Sequence, residues 1–213
     1  MSDNQKDEPT LSMKVLKGPK QIEREKTETI WDRFERLQRR LAPLREANKL
    51  KGEFIVSEEL ASRDPEPSDL VKICKALNEQ GAKHVVIGGM AMVLHGFNRG
   101  TEDIDLLVDK VASNISLLKK ALSILPDNAI QDVSDSDVEK YEVVRVADEV
   151  VVDLMGSACG IDFKSAESQI EWHELGGVKI PFASAELMLK TKHTLREKDE
   201  IDRLYLKRIL GQP

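Results

Sequence analysis

Residues 84–109, HVVIGGMAMVLHGFNRGTEDIDLLVD, decide the fold of this chain. The segment begins with an apolar run typical of a buried strand, continues with two glycines and a short apolar helical stretch, and ends in a second strand-like run. That second run carries two aspartates one residue apart. Since residues two apart in a strand project from the same face, Asp103 and Asp105 are predicted to share one surface of a sheet.

A pair of carboxylates on one surface requires compensation. Two such charges about 4 Å apart repel by roughly 4 kcal/mol at an effective dielectric constant of about 20. A divalent cation relieves this repulsion, and oxygen ligands favour Mg²⁺, or Mn²⁺ in its place. Asp153 lies in another apolar run, VVVDLM, where a lone charge is costly unless it has a purpose. Three carboxylates suit two metal ions acting in phosphoryl transfer.

The two glycines stand where the first strand turns into a helix. Gly88 and Gly89 allow the backbone to approach a ligand closely, and the N–H groups of a helix start attract anions. A polyphosphate fits this description. Arg99 and Thr101 lie just before the aspartates, and we expect them to add a forked cation and a hydroxyl to the same phosphates.

Strand-like and helix-like segments alternate from about residue 67 onwards, which predicts an α/β protein. A helix is expected to begin with Ser68 as its cap and to stop at Gly81. The runs YEVVRV and VVVDLM, separated by ADE, predict a hairpin, and GGVKIPFA predicts a last strand. Ser184 is expected to cap the helical sequence that follows, which bends around Arg196.

These motifs together resemble the minimal nucleotidyltransferases of the DNA polymerase beta superfamily. The abortive-infection and toxin–antitoxin branch is the most similar, because its members often carry an R-x-T-x-D-x-D run and a C-terminal helix with Lys, Arg and KD..D. The resemblance covers roughly residues 68 to 210. It implies a polymerase-beta-like α/β (α+β) fold with a small mixed sheet flanked by helices. The matching C-terminal residues are Lys190, Arg196, Lys198, Asp199 and Asp202.

The resemblance also implies a reaction, the transfer of a nucleoside monophosphate from an NTP to a hydroxyl with release of pyrophosphate. By this resemblance Asp103 and Asp105 hold both metal ions. Asp153 holds the ion that activates the acceptor and helps to remove its proton. The acceptor is the 3′ end of a tRNA, a protein hydroxyl or a small molecule, and the sequence does not choose among them.

The remaining site residues are assigned by the same resemblance. Gly88 and Gly89 grip the triphosphate, and Lys190 neutralises phosphate charge, although Lys192 lies only two residues further on. Asp199 and Asp202 either belong to the site or simply favour the dipole at a helix start. A different class of function is also open, namely a non-catalytic nucleotide-binding or adaptor module with the same fold.

The first third of the chain has a different character. Residues 1–50 hold 12 Lys or Arg and 9 Asp or Glu, whereas residues 51–213 hold 20 and 29. Ile30, Phe34, Leu37, Leu41 and Leu44 form one apolar stripe, which predicts an amphipathic helix within residues 21–47. That helix packs on its own domain, associates with a second copy or binds a partner such as an antitoxin.

The expected organisation follows from these patterns. Residues 1–66 form a disordered leader, the helical extension and a linker, and residues 67–213 form the nucleotidyltransferase domain. The acidic main body argues against broad non-specific binding of nucleic acid. Cys74 and Cys159 are isolated, which argues against a zinc site or a disulfide framework. No long apolar run or signal segment is present, so we expect a cytoplasmic protein that does not enter the membrane.

Overall fold

The computed structural model of the chain describes residues 62–97, 100–194 and 196–212. Arg99 and the helix expected within residues 21–47 lie outside the described residues, and both remain predictions. Residues 62–66 contact the sheet, since the backbone N–H of Arg63 donates to the carbonyl of Glu149 at 2.9 Å.

Six strands of the described residues form one sheet, and two short strands form another. The strands are β1 His84–Val86, β2 Asp103–Val108, β3 Val144–Ala147, β4 Val151–Met155, β5 Ser157–Ala158, β6 Ile161–Asp162, β7 Ile170–Leu175 and β8 Val178–Ala183. The main sheet has the order β3-β4-β2-β1-β8-β7, and β5 pairs with β6. Strand β2 runs parallel to β4, and β1 runs parallel to β8, whereas β1 and β2 are antiparallel.

The helices flank this mixed sheet. They are α1 Pro67–Gln80, α2 Gly88–Leu94, α3 Ala112–Leu122, α4 Asp137–Lys140, α5 Phe163–Ala166, α6 Ala185–Thr191 and α7 Glu197–Ile209, with 3₁₀ turns at Ala129–Asp132 and Glu167–Gln169. Helix α1 packs against α3 and β8, α2 packs against β2, and α6 packs against α7. The predicted α/β class, with a mixed sheet flanked by helices, is confirmed. Among the described residues, no helix combines the length and the apolar character needed to cross a membrane.

The core explains why the central strands have apolar sequences. Val85, Leu106 and Val152 are fully buried in three neighbouring strands. Strands covered on both faces must be apolar nearly throughout, so a carboxylate within them is an exception that calls for a reason. The predicted hairpin of β3 and β4 is present as an antiparallel pair.

The start of α1 differs from the prediction. Ser68 is not the cap, because the helix begins at Pro67 and Glu66 is the residue before it. The carboxylate of Asp69 accepts the backbone N–H of Glu66 at 2.7 Å, which forms a capping box around a proline in the first turn. Gly81 ends the helix in the left-handed conformation, as expected, with φ of 68°.

The sequence did not predict strand β7. It pairs with β8 through the turn at Gly176 and Gly177, both of which have positive φ. The strand lies at the edge of the sheet, and Trp172 within it is 60% exposed. Because the strand buries little on either face, it carries no clear apolar alternation by which it could be recognised.

Candidate active site

Three aspartates meet on one face of the sheet. The register of the parallel pair β2 and β4 sets Asp105 directly opposite Asp153. Asp103 lies two residues before Asp105 in the same strand and therefore projects to the same side. One carboxylate oxygen from each of the three residues lies within 4.8 Å of the other two. The expected convergence of three carboxylates from separate parts of the chain is confirmed.

The three carboxylates are shielded from water to different degrees. The side chain of Asp153 is 7% exposed and that of Asp103 is 26% exposed. Burial, together with the negative charge of Asp103 and a smaller effect of Asp153, raises the pKa of Asp105 to about 6, while the positive charge of Lys192 acts in the opposite direction. At neutral pH the ionised cluster is therefore costly unless positive charge lies close to it.

Gly88 makes room for one of these carboxylates. Its φ is 63°, and a Cβ built on it would lie 1.7 Å from Oδ2 of Asp105. The backbone N–H of Gly89 acts against burial and lowers the pKa of Asp105, but its effect is smaller. Gly88 lines the cavity in front of the cluster. Gly88 thus makes room for Asp105, and the grip of the glycine pair on a phosphate stays a prediction.

Arg145 supplies positive charge directly at the cluster. It lies in β3, and the antiparallel register sets it opposite Asp153. Its Nε donates to Oδ1 of Asp153 at 2.9 Å, and its Nη2 donates to Oδ2 of Asp153 at 2.8 Å and to Oδ2 of Asp103 at 3.2 Å. The Asp153 carboxylate, aided by Asp103, raises the pKa of the guanidinium further above its ordinary value. Two of the three carboxylates are therefore bridged by one side chain.

Sequence reasoning did not single out Arg145. The only signal available was the hairpin itself, because an antiparallel register fixes which residue faces Asp153. That register depends on the length of the turn, which the sequence left uncertain by a residue or more.

Of the two lysines near the end of α6, Lys192 lines the cavity and Lys190 does not. Lys190 is exposed, and its Nζ donates to the side chain of Gln169 at 2.7 Å. Lys192 is buried and lines the same cavity as Asp105. Lys190 lies in the last turn of α6, whereas Lys192 is the residue that follows the helix, and the two side chains have different partners.

Two acidic residues of α7 hold Lys192 in place. Its Nζ lies 3.2 Å from Oδ1 of Asp199 and 3.1 Å from Oδ2 of Asp202, and both aspartates are fully buried. Asp199 also accepts from Nε of Arg196 at 3.0 Å and from the hydroxyl of Thr194. The role of this pair is therefore more specific than a favourable interaction with the helix dipole, because it positions a buried ammonium group.

The cluster opens into a cavity of about 700 Å³. Thr101 lies in its wall, and the Thr101 hydroxyl donates to the backbone oxygen of Asp103 at 3.0 Å. The hydroxyl also lies 3.2 Å from Oδ1 of Asp103, so Thr101 orients the first aspartate. The cavity is within the usual size range for a small-molecule site. Its basic wall residues are Arg145, Lys192, Arg196 and Lys198.

The donor set fits a hard divalent cation. The three aspartates offer only carboxylate oxygens, which are the ligands that Mg²⁺ and Mn²⁺ prefer. A cationic group, the guanidinium of Arg145, already lies against two of the three carboxylates. The same residues could therefore hold a metal ion.

No model of a known protein family matches the chain, and no curated protein matches it. Among solved structures, the chain is similar to a protein from Thermotoga maritima described as a "putative nucleotidyltransferase". The two share 20% identity over 68% of this chain and 86% of the other, with a TM-score of 0.42. A likeness of this size assigns the chain to no family, so function must rest on the residues of the site.

Proposed function

We propose that the chain is a metal-dependent nucleotidyltransferase, which moves a nucleoside monophosphate from an NTP to a hydroxyl acceptor. One observation carries the proposal: Asp103, Asp105 and Asp153 converge within 4.8 Å at a cavity that also contains a buried lysine. An acidic cluster alone would suit many cations. The neighbouring ammonium group adds a partner for a polyphosphate, and the combination favours a metal–nucleotide substrate.

The carboxylates have distinct positions in this proposal. Asp103 and Asp105 hold the cation or pair of cations, and Asp153 lies on the side of the acceptor. Bound Mg²⁺ or Mn²⁺ would neutralise the carboxylates and stabilise negative charge on the reacting phosphate oxygens. Thr101 keeps Asp103 oriented for this task through its hydrogen bonds.

Lys192 is proposed to bind the β- and γ-phosphates of the nucleotide. Its ammonium group is held between Asp199 and Asp202, so it is already ordered before a substrate arrives. An ordered cation stabilises developing charge without losing side-chain entropy during binding. Lys190, the residue that the sequence favoured for this role, points to Gln169 instead.

The proposed reaction exchanges one bond at the α-phosphorus for another. The acceptor hydroxyl oxygen forms a bond to the α-phosphorus, the bond between that phosphorus and the bridging oxygen breaks, and pyrophosphate leaves with the electron pair. The hydroxyl proton passes to the carboxylate of Asp153. Arg145 donates to both oxygens of Asp153 in this structure, so the guanidinium competes with the acceptor hydroxyl for those oxygens.

A second candidate function is a nucleotide-binding module without catalysis. The contact of Arg145 with Asp103 and Asp153 favours it, because a guanidinium can neutralise the cluster without any metal. The two candidates differ in whether Asp105 is needed for a reaction or only for the shape of the site.

The distinguishing experiment uses the full chain with Mg²⁺ or Mn²⁺ and each of the four α-labelled NTPs, together with a cell extract as a source of acceptors. Transfer of label, accompanied by release of pyrophosphate, supports the enzyme, and its loss in Asp105→Asn ties it to the cluster. Asp132→Asn is the matched control, because Asp132 is exposed and lies outside the cavity. If wild type binds NTP but transfers no label, the module without catalysis is favoured.

The same labelled products identify the acceptor. Label removed by ribonuclease indicates RNA such as a tRNA 3′ end, label removed by protease indicates a protein hydroxyl, and label lost on dialysis indicates a small molecule. A role as the toxin of a toxin–antitoxin or phage-defence pair predicts that expression stops bacterial growth, and that Asp105→Asn does not. An antitoxin partner, or self-association, is proposed to use the helix predicted within residues 21–47.

A further inference from the structure

Arg145 competes for the oxygen atoms that a metal ion would need. Its guanidinium contacts both carboxylate oxygens of Asp153 and one oxygen of Asp103. A divalent cation bound by three carboxylates must take oxygens from the same set. The guanidinium uses a lone pair on each of these oxygens and places positive charge where the cation would lie, so the two positive groups compete for the cluster.

The position of Arg145 makes departure of its guanidinium inexpensive. The residue lies in β3, an edge strand of the main sheet, and 59% of its side chain is exposed. The backbone of β3 is held by its pairing with β4, so only side-chain torsions need to change. Once outside the cluster, the guanidinium is solvated at the rim of the cavity.

We infer that Arg145 is an exchangeable internal counter-ion, which neutralises the acidic cluster when no divalent cation is bound and is displaced when one binds. The inference rests on the proposed function, since it concerns the same cation site. It assigns Arg145 a regulatory role: the residue sets how tightly the protein binds its metal ion, and it keeps the cluster intact in the absence of that ion.

A competing role would give the opposite result. If Arg145 only oriented Asp153, its removal would disorder a ligand and weaken metal binding. If Arg145 competes with the cation, its removal strengthens metal binding. Charge-assisted, two-pronged pairs are among the stronger hydrogen-bonded contacts, so a competitor of this kind should change affinity measurably.

The test measures binding of Mn²⁺ alone to the full chain by electron paramagnetic resonance, which reports free Mn²⁺ directly. We expect Arg145→Gln to bind Mn²⁺ about tenfold more tightly than wild type, or more, a ratio that corresponds to about 1.4 kcal/mol. Arg145→Lys should lie between the two, because a lysine retains the charge but cannot form the fork. Asp105→Asn identifies the signal as that of the cluster by removing it.

Arg63→Gln is the matched control. Arg63 forms a comparable pair with Asp69 at 2.7 Å and does not line the cavity. It should leave Mn²⁺ affinity unchanged. A second readout is thermal unfolding, in which Mn²⁺ should raise the midpoint of Arg145→Gln by more than it raises that of wild type.

The outcomes separate the two proposals. Unchanged or weaker Mn²⁺ binding in Arg145→Gln and Arg145→Lys, with binding still dependent on Asp105, would overturn the counter-ion role and leave the cation site standing. Absence of Mn²⁺ binding at the cluster in all these proteins, each folded by circular dichroism, would overturn both. If Arg145→Gln does not fold, the affinity of Arg145→Lys relative to wild type decides the matter.

Discussion

Arg145 reaches the cavity from an edge strand with 59% of its side chain exposed, whereas Lys192 lies in the cavity wall with 7% exposed. Arg145 faces Asp103 and Asp153, which also contribute to the metal-ligand set proposed here. Lys192 faces Asp199 and Asp202, which are fully buried. A charge that is close to water can be exchanged for another cation, but a charge enclosed by buried carboxylates cannot. We call Asp103, Asp105 and Asp153 the exchangeable cluster, because its counter-ion Arg145 can give way to a metal ion. Lys192 with its two aspartates is the fixed cluster, which holds a lysine in place.

The largest effect is expected at the exchangeable cluster. Asp105→Asn should lower nucleotidyl transfer by about a thousandfold or more, because the cation that would stabilise charge on the reacting phosphate loses a ligand. Initial rates of pyrophosphate release under saturating Mg²⁺ and NTP measure this. A loss of less than tenfold would show that Asp105 is not part of the reacting site. The exchangeable cluster would then have no role in the reaction to set against the structural role of the fixed cluster.

Substitutions in the fixed cluster should change mainly the stability of the protein. Lys192→Met leaves Asp199 and Asp202 without their ammonium partner, and the free energy of unfolding should fall by about 3 to 5 kcal/mol. Urea denaturation of the full chain measures the change. Lys190→Met is the control, because Lys190 is exposed, and it should change stability by less than about 0.5 kcal/mol. Equal effects of the two substitutions would contradict the fixed position of Lys192.

Stability should depend on pH through Asp105. Its pKa is raised from 3.8 in the unfolded chain to about 6 in the folded protein, so the folded state binds this proton more tightly. Stability from this group is present below pH 4 and is lost as pH rises towards 6. In EDTA, Asp105→Asn should therefore be more stable than wild type by about 3 kcal/mol above pH 6, with a smaller difference at pH 5.

Thermal or urea unfolding between pH 5 and pH 8 tests this expectation. Asp132→Asn, at an exposed position, should show no such trend. A wild type that is as stable as Asp105→Asn at pH 8 in EDTA would mean that Arg145 and Lys192 already offset the burial of Asp105 completely.

The smallest effect is expected from Arg145 on stability. Arg145→Gln should cost about 1 to 2 kcal/mol in EDTA, because Asp153 loses a partner but the lost cation was largely solvated. This is less than the cost expected for Lys192→Met under the same conditions. The two values, measured by urea denaturation, compare the exchangeable and the fixed cluster directly. If Arg145→Gln lowered the free energy of unfolding by more than Lys192→Met does, Arg145 would be the more firmly held of the two cations.

Much of the cluster could be predicted because its pattern is local. The two aspartates in DID point the same way by the geometry of any strand, and Asp153 stands out as a charge in an apolar run. Gly88 was predicted to lie beside the acidic residues, and it does, because its missing side chain leaves room for Asp105. The prediction that Ser68 caps α1 was wrong, because Pro67 and Asp69 favour an earlier start of the helix.

The sequence by itself determined the α/β architecture, the shared face of Asp103 and Asp105, and the acidic character of the site. These features depend on periodicities within a single strand or helix. Only the tertiary structure decided that Arg145 lies on Asp153, that Lys192 rather than Lys190 lines the cavity, and that Asp199 and Asp202 position a lysine. Such contacts depend on the register between strands and on the direction in which a helix end faces, and both are set by packing between segments far apart in the chain.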